Sequence, residues 1–143
     1  MLHDGADATP VSARATGYWI TTTVIALETL AGGVTDLAHG RAMLVAGTPV
    51  VEVITPLGYP VYFLTILGVW KVLGAIVLLA PRFPRLKEWA YAGVFFELTG
   101  AAASQAIHGN WTDVPTPLIL TALTIASWSL RPPNRTLPQG YAA

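Results

Sequence analysis

The sequence predicts an all-α integral membrane protein, a four-transmembrane-helix bundle made of two helical hairpins. Apolar residues make up 53% of the 143 residues and charged residues only 11%, whereas soluble domains usually carry about a quarter charged residues. The apolar residues are also concentrated in four long segments. With so few charged residues, the chain could not cover a surface that faces water. We therefore expect the helices to be surrounded by lipid.

The four apolar segments are residues 17–38, 58–80, 89–107 and 115–130. About 20 mostly apolar residues are needed to cross the hydrocarbon core as a helix. The first segment carries polar residues and the fourth is short. Both are nevertheless assigned as transmembrane helices, because the neighbouring segments are. Residues 17–131 therefore form one transmembrane domain, between polar tails at residues 1–16 and 132–143. Acidic residues precede the first segment, so we expect an uncleaved helix there rather than a secretory signal.

Basic residues predict the orientation of the helices. If the four segments alternate in direction, six of the eight basic residues lie on one side of the membrane: Arg14, Arg82, Arg85, Lys87, Arg131 and Arg135. Cytoplasmic loops carry an excess of lysine and arginine. The sequence therefore predicts a multi-pass protein with both termini in the cytoplasm.

The outer connection, residues 39–56, contains a further apolar stretch. Val50, Val51, Val53 and Ile54 follow Pro49, and proline suits the first turn of a helix. We expect a short interfacial helix that lies on the outer surface as a lid. A β-strand is the alternative, but a lone strand would leave unpaired backbone groups beside lipid.

Three ionisable residues, Glu28, Lys71 and Glu97, lie deep within predicted spans. Counted from the cytoplasmic ends, their depths agree within about one helical turn. A single charge at the bilayer centre costs roughly 2.5–3.5 kcal/mol on insertion scales, and opposite charges reduce this cost by pairing. We therefore expect the three side chains to meet inside the bundle and to act as acid and base.

Small and polar residues continue from this cluster along one face of each helix, towards the outer side. Small residues allow close helix packing, and hydroxyl groups form interhelical hydrogen bonds. The stripe resembles a passage, so its members are the candidate substrate-binding residues. They are Gly32, Asp36, Gly100, Ser104, Gln105, His108, Thr121 and Thr124.

Residues 28–40 and 97–109 share a pattern of glutamate, small residues, histidine and glycine. This similarity is consistent with a parallel repeat of two hairpins. If the repeat is present, Glu28 and Glu97 lie across a pseudo-twofold axis. Duplication and chance similarity in composition both remain open.

Several classes of function are excluded or disfavoured. Net charge is zero, so there is no basic surface for nucleic acid. Cysteine is absent, and no phosphate-binding loop or zinc-protease motif is present, so we predict neither a cofactor nor a metal. His39 and His108 with Asp36 or Asp113 are a weak alternative as metal ligands, since interfacial histidines are usually solvated.

The run LGYPVYFLTILGVWKVLGAIVLLAPRFPRLKEWAYAGVFFELTGAAASQAIHG, residues 57–109, closely resembles the DoxX-like family of small bacterial membrane proteins. The first segment, with Glu28 and the pair Gly32 and Gly33, is similar as well. The resemblance implies a four-helix fold in the bacterial inner membrane. It also implies a relation to membrane redox complexes, since the family is named after a subunit of a quinone-reducing thiosulfate oxidoreductase. It assigns no catalytic residues.

Three functions are compatible with these features. The first, which the polar stripe favours, is a site for a small lipophilic molecule such as a quinone. The second is an accessory membrane subunit that anchors an oxidoreductase subunit. The third is proton-linked transport of a small solute, which would need a homodimer because four helices are few for alternating access. The alternative to all three is that the charged residues have a purely structural role and fix the register of the helices.

Overall fold

The computed structural model describes residues 9–39 and 49–138, and this part of the chain is helical throughout, without a β-strand. Five helices follow in order: α1 Thr9–Leu37, α2 Val50–Ile54, α3 Tyr62–Leu79, α4 Pro84–Ile107 and α5 Pro115–Ser129. A 3-10 turn, Pro133–Arg135, comes after α5. Helices α1, α3, α4 and α5 correspond to the four apolar segments, and the short helix predicted after Pro49 is confirmed as α2.

Helix α1 begins earlier than the sequence predicts. Residues 9–16 were expected to belong to a polar tail but form the first two turns of α1. Arg14 in this extension donates a hydrogen bond from Nη2 to the carbonyl oxygen of Ser129, at 3.1 Å, so the extension packs on the end of α5. The rest of the predicted tails, residues 1–8 and 139–143, and residues 40–48 of the outer connection lie outside the described residues.

The helices pack as two pairs, as the sequence predicts. Helix α1 packs most extensively on α3, and α4 on α5, while contacts of α1 with α5 and of α3 with α4 close the bundle. A buried core lies between the pairs, formed by Ile25, Ala26, Leu78, Tyr91, Val94 and Leu98.

Two glycines bring α1 and α3 into backbone contact. A Cβ atom on Gly68 would lie 2.8 Å from the carbonyl oxygen of Gly33 and 2.9 Å from the backbone nitrogen of Leu37. A Cβ atom on Gly33 would lie 2.8 Å from Cβ of Lys71. Such close approach is possible only without side chains, so this crossing fixes the register of α3 on α1.

The end of α4 is set by glycine in a different way. Gly109 adopts φ = 78°, which glycine reaches without steric cost. Its N–H group donates to the carbonyl oxygen of Ala106 at 3.1 Å, and the N–H of Asn110 donates to that of Gln105 at 2.9 Å. This pair of hydrogen bonds is a Schellman motif, and it turns the chain back towards α5.

One helix of the described chain, α3, is long and apolar enough to cross a membrane by length and composition. Its mean hydropathy is 2.1 over 18 residues, and 22% of that stretch is buried within the chain. Glu28 and Asp36 lower the hydropathy of α1, Glu97 and Gln105 lower that of α4, and α5 has only 15 residues. Four spans therefore stay a prediction.

Candidate functional site

Lys71 on α3 lies between two carboxylates from two other helices. Its Nζ atom is 2.9 Å from Oδ2 of Asp36 on α1 and 2.8 Å from Oε1 of Glu97 on α4. The side chain of Asp36 is 2% exposed, that of Lys71 16% and that of Glu97 24%. One ammonium group therefore joins three helices, with Asp36 enclosed and Glu97 the most accessible of the three.

Glu28 lies close to these ion pairs, but Asp36 is the carboxylate of α1 that contacts Lys71. Among the described residues no ion pair joins Glu28 to Lys71, and Asp36, predicted as a substrate contact, is the second carboxylate instead. Glu28 is half-buried and close enough to interact electrostatically with Lys71 and Glu97. It therefore borders the ion pairs without belonging to them.

The glycine crossing places Lys71 beside the part of α1 that carries both Glu28 and Asp36. Cβ of Lys71 lies against Gly33, and its Nζ atom lies 3.3 Å from the position of a Cβ on Gly32. At about 1.5 Å per residue, Glu28 and Asp36 each lie roughly 6 Å along α1 from Gly32, in opposite directions. The ammonium group therefore lies between the levels of the two carboxylates, and its ion pair on α1 is with Asp36.

A cavity of about 530 Å³ opens beside these ion pairs, between α3, α4 and α2. Asp36, Lys71 and Glu97 are its ionisable lining residues. Of the predicted site residues, Gly100, Ser104 and Gln105 line it as well. The remaining lining is largely apolar and includes Val50, Val53 and Ile54 of α2, so the short helix covers the cavity.

A second cavity, of about 260 Å³, lies between α3 and α4 towards the turn that joins them. Leu67, Lys71, Gly93 and Glu97 line both cavities. The Lys71–Glu97 ion pair therefore stands at the boundary between the two spaces.

Tyr59 is a further polar residue of this region, which no pattern in the sequence singles out. Its hydroxyl group shares a hydrogen bond of 2.7 Å with Oγ of Ser104, and its ring stacks on Phe63 with centroids 5.1 Å apart. Both aromatic residues line the larger cavity. Prolines at positions 56 and 60 around Tyr59 mark an irregular segment, but they do not show which way its ring points.

Five predicted site residues line neither cavity: Glu28 and Gly32, which lie close to Lys71, and Thr121, Thr124 and His108. Thr121 and Thr124 are buried, and their hydroxyl groups donate to the carbonyl oxygens of Pro117 and Leu120 in their own helix. His108 is exposed, and its Nδ1 atom lies 2.9 Å from the carbonyl oxygen of Ser104. Helical periodicity put these last three residues on the polar stripe, but each of the three satisfies a local hydrogen bond instead.

The described residues contain no group of three His, Cys, Asp or Glu side chains that could hold a metal. His39, the other histidine considered as a ligand, forms a hydrogen bond of 3.1 Å between its Nε2 atom and Oγ1 of Thr65. The ion pairs of Lys71 consequently stand as the main polar feature of this region.

The model of the DoxX-like family matches residues 20–127, which include α2, α3, α4 and most of α1 and α5. The chain belongs to the DoxX-like family. No curated protein and no solved structure gives a significant match. Membership identifies a membrane protein that associates with lipid, in agreement with the composition, and it leaves the activity open.

A second polar group in this DoxX-like protein lies between α1, α4 and α5. Ser127 shares hydrogen bonds of 2.6 Å with Thr22 and 2.8 Å with the hydroxyl of Tyr91. All three side chains are buried. Because each hydroxyl is paired, the group joins the two helix pairs through buried hydrogen bonds.

The basic residues used to predict orientation meet at one end of this DoxX-like bundle. Nη2 of Arg131 lies 2.7 Å from Oε1 of Glu88, and Nη1 of Arg135 donates to the hydroxyl of Tyr18 at 3.3 Å. Both arginines are buried. Residues 131–136 are thereby held over the end of the bundle.

Lys87 is fully buried at the same end, outside the four predicted spans. Its Nζ atom donates to the carbonyl oxygens of Val77 and Leu78, at 2.6 and 2.9 Å, and so caps the last turn of α3. Burial, together with the positive charges of Arg135 and Arg131, lowers the pKa of Lys87 to about 8. The sequence predicted only a surface charge here.

Proposed function

We propose that this protein binds a small lipophilic molecule, such as a quinone, in the larger cavity. One observation carries the proposal: a cavity of about 530 Å³ with largely apolar walls contains Asp36, Lys71 and Glu97 on one side. Small-molecule sites typically have this size and combine apolar walls with a few polar groups that fix orientation. A register-fixing ion cluster would need no such space.

Each of the three charged residues would have a separate role in binding the ligand. Lys71 donates a hydrogen bond to a carbonyl oxygen of the ligand, and buried Asp36 holds the ammonium group in place. Glu97, the most exposed of the three, exchanges a proton with the ligand as a general acid or base. Glu28, within electrostatic range of Glu97, is the next acceptor in a proton relay.

The proposed setting is the bacterial inner membrane, crossed by the four apolar segments, residues 17–38, 58–80, 89–107 and 115–130, with both termini in the cytoplasm. The gathering of Arg14, Lys87, Arg131 and Arg135 at one end of the bundle supports this orientation. Exposed apolar side chains such as Trp70, Ile76 and Phe96 support lipid contact along α3 and α4.

The test is ligand binding by the purified full chain and by Glu97→Gln. We expect native protein to release a lipophilic molecule that mass spectrometry identifies, and to bind a decyl-substituted benzoquinone. Glu97→Gln should weaken quinone binding by about tenfold or more, roughly 1.4 kcal/mol, because the amide cannot form the ion pair that positions the ammonium group of Lys71.

Glu52→Gln is the matched control, since Glu52 is exposed on α2 and does not line the cavity. It should bind the quinone as the native chain does. Equal affinity of Glu97→Gln and the native chain, or no binding by either, would contradict the proposed function.

A further inference from the structure

The two cavities beside Lys71 lie next to each other along the α3–α4 interface. They share Leu67, Lys71, Gly93 and Glu97 as lining residues. The larger space extends from these residues towards α2, and the smaller one towards Val77 and Leu86, at the turn between α3 and α4. A molecule longer than the larger cavity would therefore continue past the Lys71–Glu97 ion pair.

The two spaces differ in chemistry. The larger cavity offers hydrogen-bonding side chains at both ends, with Asp36 at the ion pairs and Ser104 and Gln105 farther out. Beyond the shared ion pair, the smaller cavity is lined by apolar side chains and Thr29, and Trp70 and Trp89 lie at its exposed side. The polar atoms of a ligand would therefore find hydrogen-bond partners in the larger cavity, and its apolar atoms would fit the smaller one.

The boundary between the spaces contains no bulky apolar side chain other than Leu67. Gly93 has no side chain, and a Cβ atom there would meet nothing within 4 Å. Glu97 is 24% exposed, so its side chain has room to move. An apolar chain can pass at this point beside the ion pair, whereas a second polar head would find the hydroxyl of Thr29 among mostly apolar side chains beyond it.

We infer that the ligand is a single-chain amphiphile, with its polar head in the larger cavity and its apolar chain in the smaller one. This inference rests on the proposed function and adds the shape of the ligand to it. The head contacts Lys71 and Glu97, and the chain runs between Trp70 and Trp89 towards the lipid. Chain length, in addition to head chemistry, then determines affinity.

Two open glycines allow each space to be filled separately. Gly74 lines only the smaller cavity and Gly100 only the larger one, and a Cβ atom at either position meets nothing within 4 Å. Gly74→Leu and Gly100→Leu therefore add a side chain to the lining of one cavity each, from a Cβ position that is free of contacts. Both replace a helix-interior glycine by a better helix former, so the melting temperature of each variant should stay at or above that of the native chain.

The probes are methyl- and decyl-substituted benzoquinone, titrated into full-length protein in one detergent by calorimetry. We expect the native chain to bind the decyl compound at least about tenfold more tightly, since each buried methylene contributes about 0.8 kcal/mol. Gly74→Leu should abolish this preference and bind the methyl compound unchanged. Gly100→Leu should weaken binding of both by about tenfold or more.

The outcomes separate the two proposals. If Gly74→Leu keeps the native preference for the decyl compound, or weakens both compounds equally, the inference about the chain is wrong while the proposed function stands. If neither compound binds the native chain, or if Gly100→Leu binds both normally, the proposed function itself fails. Partition of the quinones into detergent is the same for all variants, so it cancels in the comparison.

Discussion

Two buried lysines of this protein lie in opposite electrostatic surroundings. Lys71 contacts two carboxylates, whereas Lys87 contacts two backbone carbonyl oxygens and lies close to two arginines. Carbonyl oxygens at the end of α3 carry only partial negative charge. Lys87 therefore caps a helix end while two nearby positive charges repel its own. Lys71, in contrast, is the centre of a group of ion pairs.

The depressed pKa of Lys87 makes the stability of the fold depend on pH. Its folded value of about 8 lies below the ordinary value of 10.5. Below about pH 8 the side chain is charged in both states, so the full cost of its burial is present. Between about pH 8 and 10.5 only the unfolded chain keeps the proton, so stability rises with pH and then levels off, by roughly 2–4 kcal/mol in total.

The measurement is the denaturant midpoint of purified protein at several pH values in this window. Lys87→Met should abolish the rise, while Arg85→Met, a change at a nearby exposed residue, should preserve it. A midpoint of the native chain that stays constant or falls between pH 8 and 10.5, relative to Lys87→Met, would show that burial does not depress this pKa.

At the scale of elements, the crossing of α1 and α3 positions the candidate site. Gly68→Ala places a methyl group 2.8 Å from the carbonyl oxygen of Gly33, and the backbone can relieve this contact only by separating the helices. Overpacking of this kind costs typically about 1–3 kcal/mol. We expect Gly68→Ala to unfold at lower temperature and to weaken quinone binding, because Lys71 moves with α3 away from Asp36.

Gly74→Ala is the matched control for the crossing. It lies on the same helix, but its new methyl group meets nothing within 4 Å. Its stability should equal or exceed that of the native chain, because alanine has the higher helix propensity by about 1 kcal/mol. Thermal unfolding of both variants in the same detergent makes the comparison, and equal melting temperatures would refute a tight crossing.

The sequence predicted the elements better than their register. Hydropathy located α1, α3, α4 and α5 and placed Lys71 and Glu97 at one depth. Depth does not determine which of two carboxylates on one helix meets a partner, because Glu28 and Asp36 are each four residues from Gly32, where the ammonium group of Lys71 lies. The contact of Gly33 with Gly68, which fixes how α3 packs on α1, has no signal in the hydropathy pattern.

For the whole molecule, the segment after α5 closes one end of the bundle. Arg131 binds Glu88, and Arg135 reaches Tyr18 and the carbonyl oxygen of Leu78. These contacts join the last helix to α1, α3 and α4. The positions of the basic residues, predicted from topology, are thus also the attachment points of the chain's C-terminal segment.

Truncation after Leu130 should therefore destabilise the bundle without altering the cavities. It removes both arginines and leaves Glu88 without an ion pair, with only the hydrogen bond that Nε1 of Trp128 donates to it at 2.9 Å. Loss of a largely buried ion pair costs on the order of 3 kcal/mol, so we expect a melting temperature several degrees lower. A truncation after Thr136, which keeps both arginines, is the control and should melt as the native chain does.

Quinone affinity measured well below the melting temperature should be the same for both truncations, because no residue after Leu130 lines either cavity. If truncation after Leu130 leaves stability unchanged, residues 131–136 do not hold the bundle together. This closure was beyond sequence analysis, since charge patterning places arginines at an interface but does not say whether they face inward.

The 15 residues of α5 have a consequence for the surrounding bilayer under the proposed topology. At 1.5 Å per residue the helix is about 22 Å long, against a hydrocarbon thickness of about 30 Å. Such hydrophobic mismatch is relieved when the membrane thins locally or when flanking side chains extend to the headgroups. Lipids with short acyl chains should therefore suit this protein better than long ones.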